Sequence, residues 1–248
     1  MPQGSVLGPL FFLVYINDLP LHLNQDTENT LFADDSALYT SNEDINLINH
    51  NLQDSLNKTN TWCSKNSMVI HPEKTKSMII ATRQRQQLTK PALNLTLGTS
   101  NIEQVREHKM LGVILDTELT WNQQLEFTIK KLSRNVFLLT KLKQYVQYRH
   151  LKMFFNAQIM SYLNYASTLW DGCSQLIFKK INSIHRRAVK KLINNQTLDT
   201  DQKLKKLTIL PLKKQLEFNK LLLIYKIYNE ETPPYLYNII TKAPRRYN

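Results

Sequence analysis

Residues 31–40 read LFADDSALYT, in which two adjacent aspartates stand between two short apolar runs. The flanking LFA and SALYT predict two short strands, and the acids between them predict a turn. Like charges at neighbouring positions repel each other unless water or a cation screens them. Asp34 and Asp35 therefore either lie in water at a hairpin turn or hold a metal ion, and composition alone leaves both interpretations open.

The sequence around this hairpin predicts helices before and after it. Pro9 fits the first turn of a helix through LFFLVYIND, and because that run is apolar nearly all round, it predicts a buried helix. Ser41 and Asp44 have the spacing of a capping box. Apolar residues then recur at helical intervals and predict a second helix from about 43 to 64.

Short β segments are predicted for the rest of the first 120 residues. SMVIH and SMIIAT, on either side of PEKTK, predict a hairpin. ALNLTLG and KMLGVILD predict further strands. The first half of the chain is therefore expected to mix helices with an antiparallel sheet.

From Trp121 onward the apolar period becomes helical throughout. The pattern predicts helices over 125–139, 150–170 and 177–192, and a fourth that starts at Pro211 and stops at Pro233-Pro234. The third helix has one apolar side, and its other faces carry six cations: Lys179, Lys180, Arg186, Arg187, Lys190 and Lys191.

The charge of the chain is divided unevenly along its length. Residues 1–120 contain 9 Lys and Arg against 13 Asp and Glu, a net charge of −4, whereas residues 121–248 contain 23 against 7, a net charge of +16. Cations that contact phosphates release counterions and give affinity for any sequence, so this asymmetry favours a polyanion partner for the second half. Solvated helix faces are the alternative explanation.

Composition argues against membrane, disulfide and zinc proteins. The longest nearly apolar run, Val6 to Ile16, has 11 residues and is too short to cross a bilayer. Cys63 and Cys173 are far apart, and the six histidines form no ligand cluster. We therefore expect no membrane partner and a reducing intracellular compartment.

Two motifs in this order and spacing carry a family resemblance. MPQGSVLGPLFFLVYINDLP followed by LFADDSALYT resembles the reverse transcriptase of non-LTR retrotransposons, the LINE-type elements of the CR1, L2 and jockey kind. Phe32 to Asp35 match the FADD box of those enzymes. HPEKTKSMII and HKMLGVILDTELTW resemble later segments of the same family, and the basic helices resemble the region that follows them.

The resemblance implies an α+β fold. Residues 1–120 would form part of a reverse transcriptase palm, an antiparallel sheet with helices, and residues 121–248 a basic helical thumb-like and C-terminal region. The implied activity is RNA-directed DNA polymerisation, a nucleotidyl transfer assisted by two Mg²⁺ ions. The implied partners are an RNA template, a DNA primer and a deoxynucleoside triphosphate.

The resemblance also implies roles for particular residues. Asp34 and Asp35 would be catalytic carboxylates and Mg²⁺ ligands, and Gln3 and Gly4 would pack against the incoming nucleotide and the template. Lys74 would lie near the triphosphate, although a solvated hairpin lysine is an alternative. The six cations of the third predicted helix would lie along nucleic-acid phosphates, without base specificity.

One departure from the family pattern limits the expected activity. The family uses a third carboxylate upstream of the PQG motif, and no matching segment precedes Pro2 in this sequence. We therefore expect the isolated chain to be inactive, and we expect it to self-associate through a sheet edge that lacks its neighbour. A sequence-independent nucleic-acid-binding module, or a decayed retroelement product without activity, are the alternatives.

Overall fold

The computed structural model describes residues 4–89, 91–193 and 198–241 and has a mixed α+β architecture, as predicted. The chain divides into two compact units. The first comprises Met1–Lys109 with Asp116–Leu119, and the second comprises Met110–Leu115 with Thr120–Asn248. Each unit has hydrophobic clusters of its own.

The first unit alternates short strands with helices. In chain order its elements are α1 (Gly8–Ile16), a 3₁₀ turn (Leu19–His22), β1 (Glu28–Phe32), β2 (Asp35–Tyr39), α2 (Ile45–Lys65), β3 (Lys76–Ser77), α3 (Arg83–Thr89), β4 (Thr96–Leu97), β5 (Ser100–Asn101) and β6 (Glu103–Gln104). Two further strands, β7 (Glu107–Met110) and β8 (Val113–Asp116), lie where the chain passes into the second unit.

The predicted hairpin around the two aspartates is confirmed. β1 and β2 pair antiparallel from Glu28 opposite Tyr39 to Phe32 opposite Asp35, so Ala33 and Asp34 alone form the turn. Within the described ranges this sheet has only two strands. Each strand therefore has one edge without a partner strand, and the expected self-association through such an edge stays a prediction.

Helix α1 forms as predicted, but its predicted burial is wrong. Ile16 is the buried residue of this helix, whereas Leu10, Phe11 and Leu13 are each more than half exposed. A helix that is apolar all round needs partners on every side. In the described part of the chain, the one buried cluster that includes a residue of α1 is that of Ile16 with Leu19, Trp62 and Cys63, so the other sides of the helix stay largely uncovered.

Helix α2 confirms the prediction of a helix over about 43–64. Asp44 caps its N-terminus, because the carboxylate accepts a hydrogen bond from the amide of Asn46 at 2.9 Å. The predicted capping box, with Ser41 as the N-cap, is therefore wrong. The N-cap is Asp44, which comes about one helical turn later in the sequence. The buried face of α2 carries Leu56, which packs against the β4–β6 region, and Trp62.

The hairpin predicted between SMVIH and SMIIAT does not form. Its only strand is β3, which pairs in parallel with β6, Lys76 opposite Glu103 and Ser77 opposite Gln104. An ion pair of 2.6 Å between Lys76 and Glu103 supports this register. The reason is that β3 pairs with β6, which is distant in the sequence. Sequence patterns for hairpins consider only strands that are adjacent in the sequence. The described strands form four separate two-stranded sheets, one of them parallel, so the single antiparallel sheet that was predicted is wrong.

The strands predicted in ALNLTLG and KMLGVILD are confirmed in part. Thr96–Leu97 pairs antiparallel with Ser100–Asn101 around Gly98, whose φ of +61° suits glycine. KMLGVILD contains the end of β7 and all of β8, separated by Leu111 and Gly112. Short strands replace the longer ones because residues with positive φ interrupt both segments.

The second unit is helical beyond β8. Its helices are α4 (Asn122–Leu142), α5 (Tyr148–Phe155), α6 (Ser161–Asn164), α7 (Ser167–Trp170), α8 (Gln175–Leu192), α9 (Thr200–Leu207), α10 (Leu212–Tyr228) and α11 (Pro234–Thr241). The predicted helices over 125–139 and 177–192, and the helix after Pro211, are confirmed as α4, α8 and α10.

The helix predicted over 150–170 is interrupted twice. A π-helical turn, Asn156–Met160, separates α5 from α6, and Ala166, with a φ of +50°, ends the run before α7. A π turn shifts the hydrogen-bonding register. Here the buried Asn135 of α4 donates from Nδ2 to the carbonyl of Gln158 at 2.6 Å.

One side chain of the second core is polar and has no hydrogen-bond partner. His185 of α8 is 1% exposed, and its ring lies 6.2 Å from that of Phe155. Neither of its ring nitrogens has a partner among the described residues. Burial, and to a lesser extent the neighbouring charge of Arg186, lower the pKa of His185 from 6.5 to about 4.

No helix in the described ranges is long and apolar enough to serve as a membrane span.

We expect the stability of the second unit to fall as pH falls from about 6.5 to about 4. The unfolded chain binds a proton at His185 in this window and the folded chain does not, so the loss approaches about 3 kcal/mol below pH 4. Urea unfolding at several pH values measures it. His185→Leu should remove this contribution, whereas His150→Leu, at an exposed position of α5, should keep it. Equal pH dependence in His185→Leu and the unsubstituted chain would contradict the assignment.

Candidate functional site

The two aspartates lie side by side at the end of the β1–β2 hairpin. Asp34 is the second residue of the turn and Asp35 the first of β2, and both are exposed. Ala33 adopts a φ of +51°, which is uncommon for a residue with a side chain. Neither carboxylate forms an ion pair or a side-chain hydrogen bond with any described residue.

The donor set at this turn suits a hard divalent cation but is incomplete. Carboxylate oxygens are ligands that Mg²⁺ prefers, and both groups are free to accept one. Within residues 4–89, 91–193 and 198–241, however, no three His, Cys, Asp or Glu residues gather closely enough to hold a metal ion. The role of the two carboxylates as Mg²⁺ ligands therefore stays a prediction.

The residues predicted beside the nucleotide are only partly described. Gln3 lies outside the described residues. Gly4 precedes α1, is exposed, and has a φ of +88°. A Cβ atom built on Gly4 would meet nothing within 4 Å, so backbone conformation rather than crowding favours glycine here.

Lys74 lies in the turn before β3 and is exposed. The turn is tied by the carbonyl of His71, which accepts from the amide of Lys74 at 3.2 Å and from the hydroxyl of Thr75 at 2.9 Å. No hydrogen bond or ion pair joins Lys74 to Asp34 or Asp35. Its role beside a triphosphate stays a prediction.

Helix α8 presents cations along one side. Ser174 caps its N-terminus, and its buried residues, among them Ile181 and Ala188, face the second core. The opposite surface has an open, shallow depression of about 420 Å³ between side chains of this one helix, called the α8 groove below. The residues that line it are Lys179, Asn182, Ser183, Arg186, Arg187 and Lys190. Four of the six predicted cations therefore meet in one groove, and Lys180 and Lys191 do not line it.

One contact of this surface was missed by sequence reasoning. Asp201 of α9 forms an ion pair with Arg186 at 2.8 Å between Oδ1 and Nη1. No spacing rule links two residues on different helices, so the sequence carried no signal for it. The pair is largely exposed, 41% for Arg186 and 67% for Asp201, and exposed pairs contribute only about 0.2–1 kcal/mol. A phosphate can therefore replace Asp201 at little cost.

The chemistry that each surface can perform follows from its charge. The hairpin offers two adjacent anionic oxygen donors to a cation. The α8 groove offers four cationic side chains, with an amide and a hydroxyl between them, to an anion. Cations in such a row attract a chain of phosphates without selecting a base sequence.

Comparisons with known proteins agree with the motifs. Residues 1–115 match the family described as reverse transcriptase (RNA-dependent DNA polymerase). This segment contains the hairpin, Gly4 and Lys74. No solved structure matches the chain significantly.

Several curated proteins are similar to part of the chain. The probable RNA-directed DNA polymerase from transposon BS of Drosophila melanogaster is 31% identical over 137 residues, which are 53% of this chain and 15% of that protein. The RNA-directed DNA polymerase from mobile element jockey of the same species is 30% identical over 50% of this chain and 14% of its own length. The corresponding probable polymerase from transposon X-element is 22% identical over 82% of this chain and 23% of its own length.

Residues 1–115 are thus similar to the reverse transcriptase family, and this match covers less than half of the chain. Over part of its length the chain is also distantly homologous to the RNA-directed DNA polymerases of non-LTR retrotransposons of the jockey, BS and X-element kind. The chain spans less than a quarter of the length of these relatives.

Ala33, the turn residue with a positive φ, provides a test of the hairpin geometry. We expect Ala33→Val to destabilise the first unit by about 1–3 kcal/mol, because a β-branched residue at positive φ is strained. Ala37→Val, in the middle of β2, should cost less since β-branched residues favour strands. Urea unfolding of the two variants measures the difference. Equal losses would show that Ala33 does not occupy the left-handed region.

Proposed function

We propose that this chain is a segment of an RNA-directed DNA polymerase encoded by a non-LTR retrotransposon. In the full-length parent it would contribute part of the palm, residues 1–120, and a basic helical thumb-like and C-terminal region, residues 121–248. The observation that carries this proposal is the FADD hairpin within the matched residues 1–115. The parent would transfer nucleotides to a DNA primer on an RNA template.

The carboxylates have a defined part in this chemistry. Asp34 and Asp35 would hold Mg²⁺, which activates the primer hydroxyl and stabilises the leaving oxygen in an in-line displacement. Both carboxylates are exposed at the turn and have no competing partner among the described residues. Gln3 and Gly4 would lie along the nucleotide and the template, and Lys74 would offer its charge to the triphosphate.

The isolated chain should not polymerise. Phosphoryl transfer depends on positioned metal ions, and two carboxylates without a third nearby acid cannot fix both ions. We expect no extension of a primer on an RNA template by residues 1–248 with Mg²⁺. In a full-length element protein that contains this segment, Asp34→Asn should abolish extension, because it removes a metal ligand.

A matched substitution separates loss of the metal site from loss of folding. Asp26→Asn, at another exposed aspartate of the first unit, should leave extension by the full-length protein largely unchanged. Processive synthesis by the isolated chain would overturn its proposed inactivity. Full activity of Asp34→Asn in the full-length protein would overturn the role of the hairpin.

The second unit favours another function, binding of nucleic acid independently of base sequence. The α8 groove and the net charge of +16 for residues 121–248 support it. The groove contains no aromatic side chain on which an unpaired base could stack. Contacts to the phosphate backbone are therefore its expected mode of recognition.

Charge reversal in the groove tests this function. We expect Lys179→Glu with Arg187→Glu to weaken binding of the whole chain to any duplex, and to reduce the slope of log affinity against log salt by about two. Fluorescence anisotropy at several salt concentrations measures both quantities. Lys65→Glu with Arg83→Glu makes the same charge change at exposed positions of the first unit and should have a smaller effect. Affinity that does not fall as salt rises would exclude the function.

A further inference from the structure

A row of large apolar and aromatic side chains runs along the solvent side of α10. Its members recur at intervals of three, four and three residues, which places them on one face of the helix: Phe218, Leu221, Tyr225 and Tyr228. Each is more than half exposed, from 52% for Phe218 to 80% for Tyr228. The buried residues of α10 lie on the opposite face. These four exposed residues are called the aromatic stripe below.

The neighbouring helices do not cover the aromatic stripe. α10 packs against α6, α7 and α11, and the stripe stays exposed beside them. Tyr235 of α11 is itself 63% exposed, so α11 adds a further accessible ring rather than a cover. Contiguous exposed apolar side chains of this kind mark interaction sites on soluble proteins. The stripe is therefore a candidate binding surface of the second unit.

The charge around the aromatic stripe is positive. α10 contains four lysines and one glutamate, a net charge of +3. Two of the lysines are paired, one with Glu217 and one with Asp171. Lys213 and Lys226 are exposed and have no ion-pair partner among the described residues. Helical spacing places these two lysines on opposite flanks of the stripe, so a ligand that suits this face offers both apolar surface and negative charge.

These two properties discriminate between the possible ligands. A second copy of the chain would cover the apolar side chains, but it would also bring together two halves that each carry a net charge of +16. A duplex supplies negative phosphates but keeps its bases stacked inside. A single-stranded nucleic acid supplies phosphates and the faces of unpaired bases together, and aromatic side chains stack on bases of any sequence. Charge and apolar surface together therefore favour a single strand.

We propose that the aromatic stripe binds a single-stranded nucleic acid. Unpaired bases stack on Phe218, Tyr225 and Tyr228, and the ammonium groups of Lys213 and Lys226 contact the phosphates on either side. The stripe extends about 15 Å along α10. It is separate from the α8 groove, which has no aromatic side chain. The inference extends the nucleic-acid binding proposed above to unpaired strands, and it holds whether or not the α8 groove binds a duplex.

Fluorescence anisotropy of the whole chain with a labelled oligothymidine tests the proposal. An oligonucleotide of about 20 residues exceeds the roughly 4–16 nucleotides that one single-strand-binding domain covers. Tyr225→Leu with Tyr228→Leu keeps apolar side chains but removes both rings, and it should weaken binding by about tenfold or more. Tyr225→Phe with Tyr228→Phe keeps the rings and should bind as the unsubstituted chain does. Unchanged affinity in the leucine variant would overturn the proposal.

Two further variants separate stacking from loss of folding and from general effects of tyrosine. Tyr145→Leu with Tyr148→Leu makes the same change at exposed positions next to the start of α5 and should keep the affinity for oligothymidine. An equal loss in this control pair would count against the stripe. Lys213→Gln with Lys226→Gln leaves the rings in place and should reduce the slope of log affinity against log salt by about 1.4. A slope that does not change would remove these lysines from the site and refute the proposal as stated.

Other ligands of the same face give different results. A dimer in sedimentation velocity, or binding to vesicles that contain phosphatidylserine, in a chain that does not bind oligothymidine would assign the stripe to a second copy or to a membrane surface and overturn the proposal. Duplex binding distinguishes this proposal from that for the α8 groove. Duplex affinity that falls in the charge-reversed groove variant, with oligothymidine affinity unchanged in the leucine variant, would refute the stripe and leave the groove standing. A chain that binds oligothymidine through the two rings but binds no duplex would do the reverse.

Discussion

Electrostatic repulsion between neighbouring like charges is the constraint that the functional surfaces of both units share. Asp34 and Asp35 are adjacent at a turn, and the α8 groove gathers four cations. Among the described residues one counter-charge pairs with these surfaces, Asp201 beside Arg186. Both aspartates are exposed and the groove is open, so water screens the like charges at each surface.

Periodicity and turn chemistry account for what the sequence predicted well. Helices α2, α4, α8 and α10 follow from apolar residues at helical intervals, and the β1–β2 hairpin follows from two acids between short apolar runs. These patterns are local, because each involves only residues that are near one another in the sequence. The parallel pairing of β3 with β6 joins segments 27 residues apart, between Lys76 and Glu103, so no local pattern contains it.

Other differences between the predicted and the observed structure concern burial, which depends on tertiary partners rather than on composition. The apolar run of α1 predicts a buried helix, yet its exposure depends on what surrounds it, and most of its side chains lack cover in the described part of the chain. His185 shows the converse, since a histidine beside Arg186 and Arg187 reads as part of a basic surface but packs into the core. Likewise, the sequence named the hairpin acids and the cations of α8 but could not pair Arg186 with Asp201.

The division of charge along the chain gives each unit a different ligand preference. The first 120 residues, with a net charge of −4, present a pair of carboxylates that suits a divalent cation. The remainder, with a net charge of +16, presents cations that suit phosphates. A polymerase needs both kinds of ligand, because the metal ions act on the reacting phosphate while the backbone of the template and primer must be held. Phosphates repel bare carboxylates, so in the proposed polymerase a divalent cation at Asp34 and Asp35 would have to arrive with or before the nucleotide.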